Sequence, residues 1–133
     1  MNKGQMRAST LLAGLFLVVA LGGCLQPVHP VMSPPAWIIG EWGYGVGEID
    51  AGYEFTATTM IQRTGSMSMD WAEICRSSGI DVEEIVTASL YSFTIQQEQG
   101  SMSYEFRKGS SDSISMTMRA NGVSIGPLVL YRQ

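Results

Sequence analysis

Apolar and polar side chains alternate along much of the chain after residue 90, and this period of two constrains the fold more than any other feature. The alternation is clearest over 90–96, 101–107 and 114–118, where an aromatic, isoleucine or methionine side chain occupies every second position. Successive side chains of a strand point to opposite faces, so we expect antiparallel strands with one buried and one solvated face. Asn121-Gly122 predicts a tight hairpin turn after the third strand.

Further strands are expected on either side of these segments. Residues 37–42 are expected to open the sheet, and residues 52–62 to form one long or bulged strand. Residues 123–131 are expected to close the chain, with a bulge at Gly126-Pro127 because proline cannot donate a backbone hydrogen bond to a neighbouring strand.

One short helix is expected near residues 70–78. Asp70 and Glu73 fit a capping pair at its start, and the apolar residues between them and Gly79 recur at helical spacing. Gly79 stands where a helix of this length would end. Because two turns of helix are not stable alone, its apolar side chains must pack on the sheet.

Together these elements predict an all-β domain over residues 37–133. A meander that curls into a barrel leaves few exposed strand edges, so the expected fold is a small antiparallel meander barrel of about seven to eight strands with the helix inserted. An antiparallel β-sandwich is the alternative. A domain of this length buries about 60–65 % of its unfolded surface, enough for one modest core.

The N-terminus has the pattern of a secretory signal. Lys3 and Arg7 precede an apolar run over 11–21, which is shorter than the roughly 20 residues that cross a bilayer. The run ends in Leu-Gly-Gly-Cys at Cys24, which resembles the lipobox of bacterial lipoproteins. The resemblance implies that residues 1–23 are a signal peptide, and that Cys24 carries acyl chains such as palmitate that anchor the protein to a membrane.

Residues 24–36 are expected to form an extended tether between the lipid and the domain, because they contain four of the five prolines. The lipobox resemblance also implies a cellular localisation. Leu25 rather than aspartate after the lipidated cysteine favours the outer membrane, where the organism has one. We therefore expect an exported protein anchored to the cell envelope.

Gly40-Glu41-Trp42 and Arg132 stand near the two ends of the expected domain. They resemble the Gly-x-Trp of the first strand and the arginine after the last strand of lipocalin-like barrels. The resemblance implies a structural contact in which the Arg132 guanidinium lies over the Trp42 ring, a cation–π interaction worth roughly 0.5–2 kcal/mol. Trp37 competes with Trp42 for the role of the packed tryptophan.

Few groups are available for catalysis. The single histidine, His29, lies in the expected tether, so no imidazole can activate a nucleophile in the domain. Cys75 is the only cysteine left once Cys24 is lipidated, and its apolar surroundings predict burial. Without Lys3 and Arg7, six basic side chains face twelve acidic ones, and this charge of −6 disfavours nucleic acid as a partner. We expect a non-enzymatic protein without a cofactor.

Three functions from different classes are then open. The leading one is binding of a small apolar ligand inside the barrel. Its lining would be the inward aromatic residues Tyr53, Phe55, Phe93, Tyr104 and Phe106. The alternative is a structural or protein-interaction lipoprotein of the envelope with a filled barrel. A minor alternative is Cu(I) or Ag(I) binding through two thioether pairs, although methionine also fills cores. These pairs are Met67 with Met69 and Met116 with Met118.

Overall fold

The computed structural model describes residues 29–45 and 51–133, which are mainly antiparallel β-structure with one α-helix. A single 3₁₀ turn, Ala36–Ile38, precedes the first strand. The strands are β1 Gly40–Gly43, β2 Ala51–Phe55, β3 Met60–Thr64, β4 Met67–Asp70, β5 Val82–Val86, β6 Leu90–Gln97, β7 Gly100–Lys108, β8 Ser113–Ala120 and β9 Val123–Arg132, and the helix α1 is Trp71–Ser78.

All the described strands belong to one sheet in the order β4-β3-β2-β1-β9-β8-β7-β6-β5. Two meanders, β1–β4 and β5–β9, are joined where β1 pairs with the end of β9. The sheet curls into a half-barrel, and within the described residues β4 and β5 are its two edges. The prediction of a mainly β antiparallel meander with one short helix is confirmed, although the sheet has more strands than expected.

The helix lies between β4 and β5 in the chain and packs against β3 and β4. The Asp70 carboxylate accepts a hydrogen bond from the Glu73 N–H at 3.1 Å and caps the first turn. Gly79 ends the helix in the left-handed conformation, with φ 65°. The expected helix is present, and Trp71, Ala72 and Cys75 face the core. Ile74, expected to pack on the sheet with Trp71, is only partly buried.

The first half of the sheet differs from the expectation in two places. Residues 36–38 form a 3₁₀ turn instead of the start of a strand, so β1 begins only at Gly40. Residues 52–62 do not form one strand, because the chain turns back after Phe55 and pairs β2 with β3. The Thr56 hydroxyl accepts hydrogen bonds from the N–H groups of Thr58 and Thr59, and this side-chain turn divides the segment.

The end of the expected tether packs into the domain. Met32 is fully buried in the core, and Val31 packs against it. The Ser33 N–H donates to the Glu84 carboxylate of β5, at 2.9 Å and 3.1 Å to its two oxygens. The prediction of a free tether as far as residue 36 is corrected here, because a proline-rich backbone can be extended and still bury its apolar side chains.

Candidate functional site

The five aromatic side chains expected to line a ligand pocket lie together inside the half-barrel. Each is at most 5 % exposed. Phe106 packs edge-on against Phe55 at 4.9 Å and against Tyr53 at 5.8 Å between ring centroids. Phe93 stacks on Tyr104 at 5.2 Å. These separations are those of rings in direct contact, so the rings fill the interior with one another.

The phenol hydroxyls of this cluster are held by polar partners. Tyr104 donates to Gln62 Oε1 at 3.0 Å, and Tyr91 donates to Glu84 Oε2 at 2.6 Å. Burial raises the pKa of Tyr53, Tyr91 and Tyr104 above the ordinary value of 10. The hydroxyls are therefore neutral at physiological pH. Within the described residues every buried side-chain nitrogen or oxygen has a hydrogen-bond partner, so these groups serve the fold.

Space beside the aromatic cluster is small. Tyr53, Trp42 and Arg63 border a gap of about 20 Å³, which suffices for about one water molecule. A larger concavity of about 380 Å³ lies outside the interior, at the ends of β7, β8 and β9. Its lining is mixed and includes the polar residues Ser103 and Arg119 and the apolar residue Val123. The geometry thus offers room for a partner on the surface rather than among the rings.

The tryptophan–arginine contact implied by the lipocalin resemblance is present. Trp42 and Arg132 are paired across β1 and β9, and the guanidinium carbon lies 4.2 Å from the centre of the indole ring. Arg132 also donates to the Ile39 carbonyl at 3.0 Å. A Cβ on Gly40, where φ is +131°, would lie 2.7 Å from the same guanidinium. Gly40 therefore leaves room for the arginine, and the group fastens the two meanders together.

The three tryptophans of the domain have different surroundings. Trp42 is the fully packed indole and donates from Nε1 to the Ile38 carbonyl at 2.8 Å. Trp37 is only half-buried, and its Nε1 donates to the Thr87 carbonyl at 3.0 Å. Trp71 lies on the helix and donates to Gln62 Oε1 at 3.2 Å. Of the two candidates, Trp42 is thus the one that packs under Arg132.

Glu84 has a structural role that the sequence did not predict. It pairs with Phe93 across β5 and β6, on the inward face of an edge strand. Its carboxylate accepts the Tyr91 hydroxyl as well as the Ser33 N–H, so it joins the N-terminal segment to the sheet. A sequence signal did exist, since Val82 and Val86 share its parity and place Glu84 between two inward positions.

The methionine pairs occupy different surroundings. Met67 on β4 is 71 % exposed, whereas Met116 on β8 is buried in the core. Four strands separate β4 from β8 in the sheet. Among residues 29–45 and 51–133 there is also no group of three or more histidine, cysteine or acidic side chains arranged to hold a metal. The structure therefore gives no support to the copper or silver site.

The single histidine and the single cysteine of the expected domain and tether differ in exposure. His29 is exposed at the start of the described chain. Cys75 is buried, as expected, and burial raises the pKa of its thiol. The thiol therefore stays protonated at neutral pH, and a thiolate nucleophile is disfavoured.

The last strand exposes several apolar side chains. β9 runs from Val123 to Arg132 and pairs with β8 along its length, but it pairs with β1 only at Tyr131 and Arg132. Within the described residues, no strand lies against its other edge from 123 to 130. The large apolar side chains exposed there are Val123, Ile125, Leu128, Val129 and Tyr131. Val123, Ile125 and Leu128 lie on the inward face of the sheet, and Val129 and Tyr131 lie on the outward face. Exposed apolar side chains are often found at interaction surfaces.

Cys24 and the expected signal peptide lie outside the described residues. No helix in the described part of the chain is both long and apolar enough to cross a bilayer. Comparison with known proteins finds no match among family models, curated proteins or solved structures.

Proposed function

We propose that this chain is an exported lipoprotein, anchored through Cys24, whose β domain binds another protein of the cell envelope and catalyses no reaction. The observation that carries the proposal is the filled interior, where the rings expected to contact a ligand contact one another instead. A half-barrel of this kind has little interior volume for an apolar ligand. Its binding surface is then the outside of the sheet.

Surface features support a protein partner. Soluble domains seldom leave several large apolar side chains exposed on one strand, and β9 exposes three on its inward face and two on its outward face. The outward positions of β7 and β8 are rich in hydroxyl side chains, which can form hydrogen bonds at the polar rim of an interface. An apolar strip with a polar surround is the common composition of protein-binding surfaces.

The burial of Met32 brings the domain close to the proposed anchor. Seven peptide units separate Cys24 from Val31, and a fully extended chain of that length spans at most about 25 Å. The domain would therefore stay near the lipid surface, within reach of other membrane-attached proteins. Several acyl chains on one residue are sufficient for stable attachment.

Metabolic labelling with a radioactive palmitate precursor tests the anchor. The Cys24→Ala variant is expected to lose the label and to leave the membrane fraction, because it lacks the thiol that accepts the lipid. Cys75→Ala is the matched control and should keep both. Label retained by Cys24→Ala, or label lost by Cys75→Ala, would contradict the proposed anchoring residue.

Photo-crosslinking in the cells that make the protein tests the binding role. A photoreactive residue is placed in turn at Thr117, on the outer face of β8, and at Ile125 on β9. We expect adducts of higher mass that contain a second protein from at least one position. Adducts from neither position would contradict a protein-binding function.

A further inference from the structure

We propose that Met67 and Met69 of β4 form a reversible oxidation site. Peroxide converts their thioethers to sulfoxides before it reaches the other methionines of the described chain, and Gln62 donates a hydrogen bond to the new oxygen on Met69. The Met-Ser-Met motif of β4 belongs neither to the core cluster nor to the proposed binding surface. Its oxidation needs neither the lipid anchor nor a protein partner, so this site goes beyond the proposed function.

The seven methionines of the described chain differ widely in exposure. Met67 is 71 % exposed and Met69 is 36 % exposed. The other five lie in the core or pack against it, and they are Met32, Met60, Met102, Met116 and Met118. A dissolved peroxide reaches a thioether only where water does, so the two methionines of β4 are oxidised first.

The oxidation requires no other group of the protein. The Sδ atom attacks one oxygen of hydrogen peroxide, and an S–O bond forms as the O–O bond breaks. The proton on the transferred oxygen passes to the leaving hydroxide, which departs as water. Sulfur loses two electrons and peroxide gains two. Methionine sulfoxide reductases restore the thioether with two thiols, which become a disulfide as water is released, so the site is reversible.

Both thioethers belong to the inward face of β4. Gln62 of β3 reaches inward, because its Oε1 accepts a hydrogen bond from the buried Tyr104 hydroxyl at 3.0 Å. Met69 is paired with Gln62 across β3 and β4, and Met67 lies two residues earlier on the same face. The Cβ atoms of directly opposite residues lie about 4.5–5.5 Å apart, so the Met69 thioether and the Gln62 amide are neighbours.

Gln62 has the donor that a sulfoxide requires. Its Oε1 accepts from the Trp71 indole N–H at 3.2 Å as well as from Tyr104. Its Nε2 has two further N–H donors, and among the described residues no acceptor lies within hydrogen-bond distance of them. A thioether sulfur is a weak acceptor, whereas the oxygen of a sulfoxide is polar and exposed. Oxidation of Met69 therefore gives this amide a partner.

Exposure also keeps the oxidised domain folded. A sulfoxide in the core would bury a polar group and weaken the packing, whereas β4 has no buried residue. The effect on the interior passes through Gln62, whose oxygen binds Trp71 of α1 and Tyr104 of β7. Gln62 thus connects the oxidation state of β4 to the contact between the helix and the sheet.

Peptide mass spectrometry after graded treatment with hydrogen peroxide tests the site in the full chain in detergent micelles. We expect Met67 and then Met69 to gain oxygen, at least about tenfold faster than Met32, Met60 and Met116. In urea the rates should converge, because the fold sets their order. Methionine sulfoxide reductases should then remove the added oxygen. Equal rates in the folded chain, faster oxidation of a core methionine, or sulfoxides that resist the reductases would overturn the proposal.

A pair of matched variants tests the role of Gln62. Met67→Leu leaves only Met69 to be oxidised in β4, and Met69→Leu leaves only Met67. After peroxide treatment, the side-chain amide protons of Gln62 should move downfield in the nuclear magnetic resonance spectrum of the first variant, because they donate to the sulfoxide oxygen. They should stay in place in the second. Gln62→Glu keeps an acceptor for Trp71 and Tyr104 but has no amide protons, so it identifies the resonance.

A shift in both variants, or in neither, would overturn the hydrogen bond from Gln62. The side-chain amide of Gln97, exposed on β6, is the reference and should not move. Near-ultraviolet circular dichroism of each variant, before and after oxidation, should show an intact aromatic core. Loss of that signal when only β4 is oxidised would contradict the local effect that the exposure of Met67 and Met69 predicts.

Discussion

The edges of β5 and β9 expose similar apolar side chains but differ in how they are protected. On β5, the inward Glu84 holds Ser33, and Trp37 donates to the Thr87 carbonyl just beyond the strand, so the N-terminal segment is fastened along this region. On β9, no such segment lies along residues 123–130 among the described residues, and the exposed positions there carry no charge. Inward charges and covering segments are common means of preventing edge pairing.

Among the described residues, β5 is thus covered along its edge, whereas the side of β9 beyond β1 is uncovered and is interrupted by the bulge at Gly126-Pro127. The bulge interrupts the register with β8, and proline lacks an N–H, so pairing along the whole of β9 is restricted without being prevented. An uncovered apolar strand edge is a risk for aggregation.

The largest effect is expected where the core lies behind β5. Phe93→Ala removes a fully buried ring that stacks on Tyr104, and it should lower the free energy of unfolding by about 3–5 kcal/mol. Leu128→Ala, on β9, should cost less than half as much, because the leucine is already partly exposed. Urea denaturation measures both, and similar losses for the two variants would contradict the contrast between a buried wall and an open edge.

Alkaline pH is expected to destabilise the folded domain through its buried tyrosines. Burial raises the pKa of Tyr53, Tyr91 and Tyr104 in the folded state, so the folded state keeps protons that the unfolded state releases. The stabilisation that these protonated phenols give the folded state is complete below about pH 10. Above that pH the free energy of unfolding falls by about 1.4 kcal/mol per pH unit for each tyrosine. Denaturation at several alkaline pH values measures the slope. Tyr91→Phe should make it shallower, and an unchanged slope would count against burial of this phenol.

Glu84→Gln tests how much the hydrogen bonds of Glu84 stabilise the covered edge of β5. The amide cannot reproduce both carboxylate bonds to the Ser33 N–H and the bond from the Tyr91 hydroxyl, so unfolding should become easier by about 1–3 kcal/mol. Hydrogen exchange at the Ser33 amide should accelerate as well. Glu83→Gln, exposed on the same strand, is the matched control, and equal effects of the two changes would refute a special role for Glu84.

The smallest effect on stability is expected at the open edge. Ile125→Lys should change the free energy of unfolding by less than about 0.5 kcal/mol, because the side chain is half-exposed and leaves no buried cavity. Thermal denaturation checks this expectation, and a large loss of stability would show that Ile125 belongs to the core.

The sequence predicts the second half of the sheet better than the first. β6, β7 and β8 have eight or nine residues each and alternate on two distinct faces, which fixes their register. β4 has only four residues and none of them is buried, so it has no alternating signal. β5 interrupts the inward pattern with Glu84, whose partners are Tyr91 on the next strand and Ser33, 51 residues earlier in the chain.

Whether the interior is filled could not be predicted from the same pattern. Inward aromatic residues at every second position are equally suitable for a hollow or a filled barrel, and strand number and curvature decide between the two. The pairing of β9 has a similar explanation. Its residues predict a strand, but how far β1 pairs with it among the described residues depends on where β1 ends, at Gly43.

Native mass spectrometry tests the filled interior most directly. Residues 25–133, which contain every described strand and the helix, are incubated with a bacterial lipid extract under reducing conditions and transferred gently into the gas phase. The account predicts the bare mass of the protein, because the aromatic rings occupy the space that a ligand would need. A retained adduct of lipid-like mass would contradict the account and restore ligand binding inside the barrel. Such an adduct should be lost in Phe106→Trp, where a larger ring fills the interior.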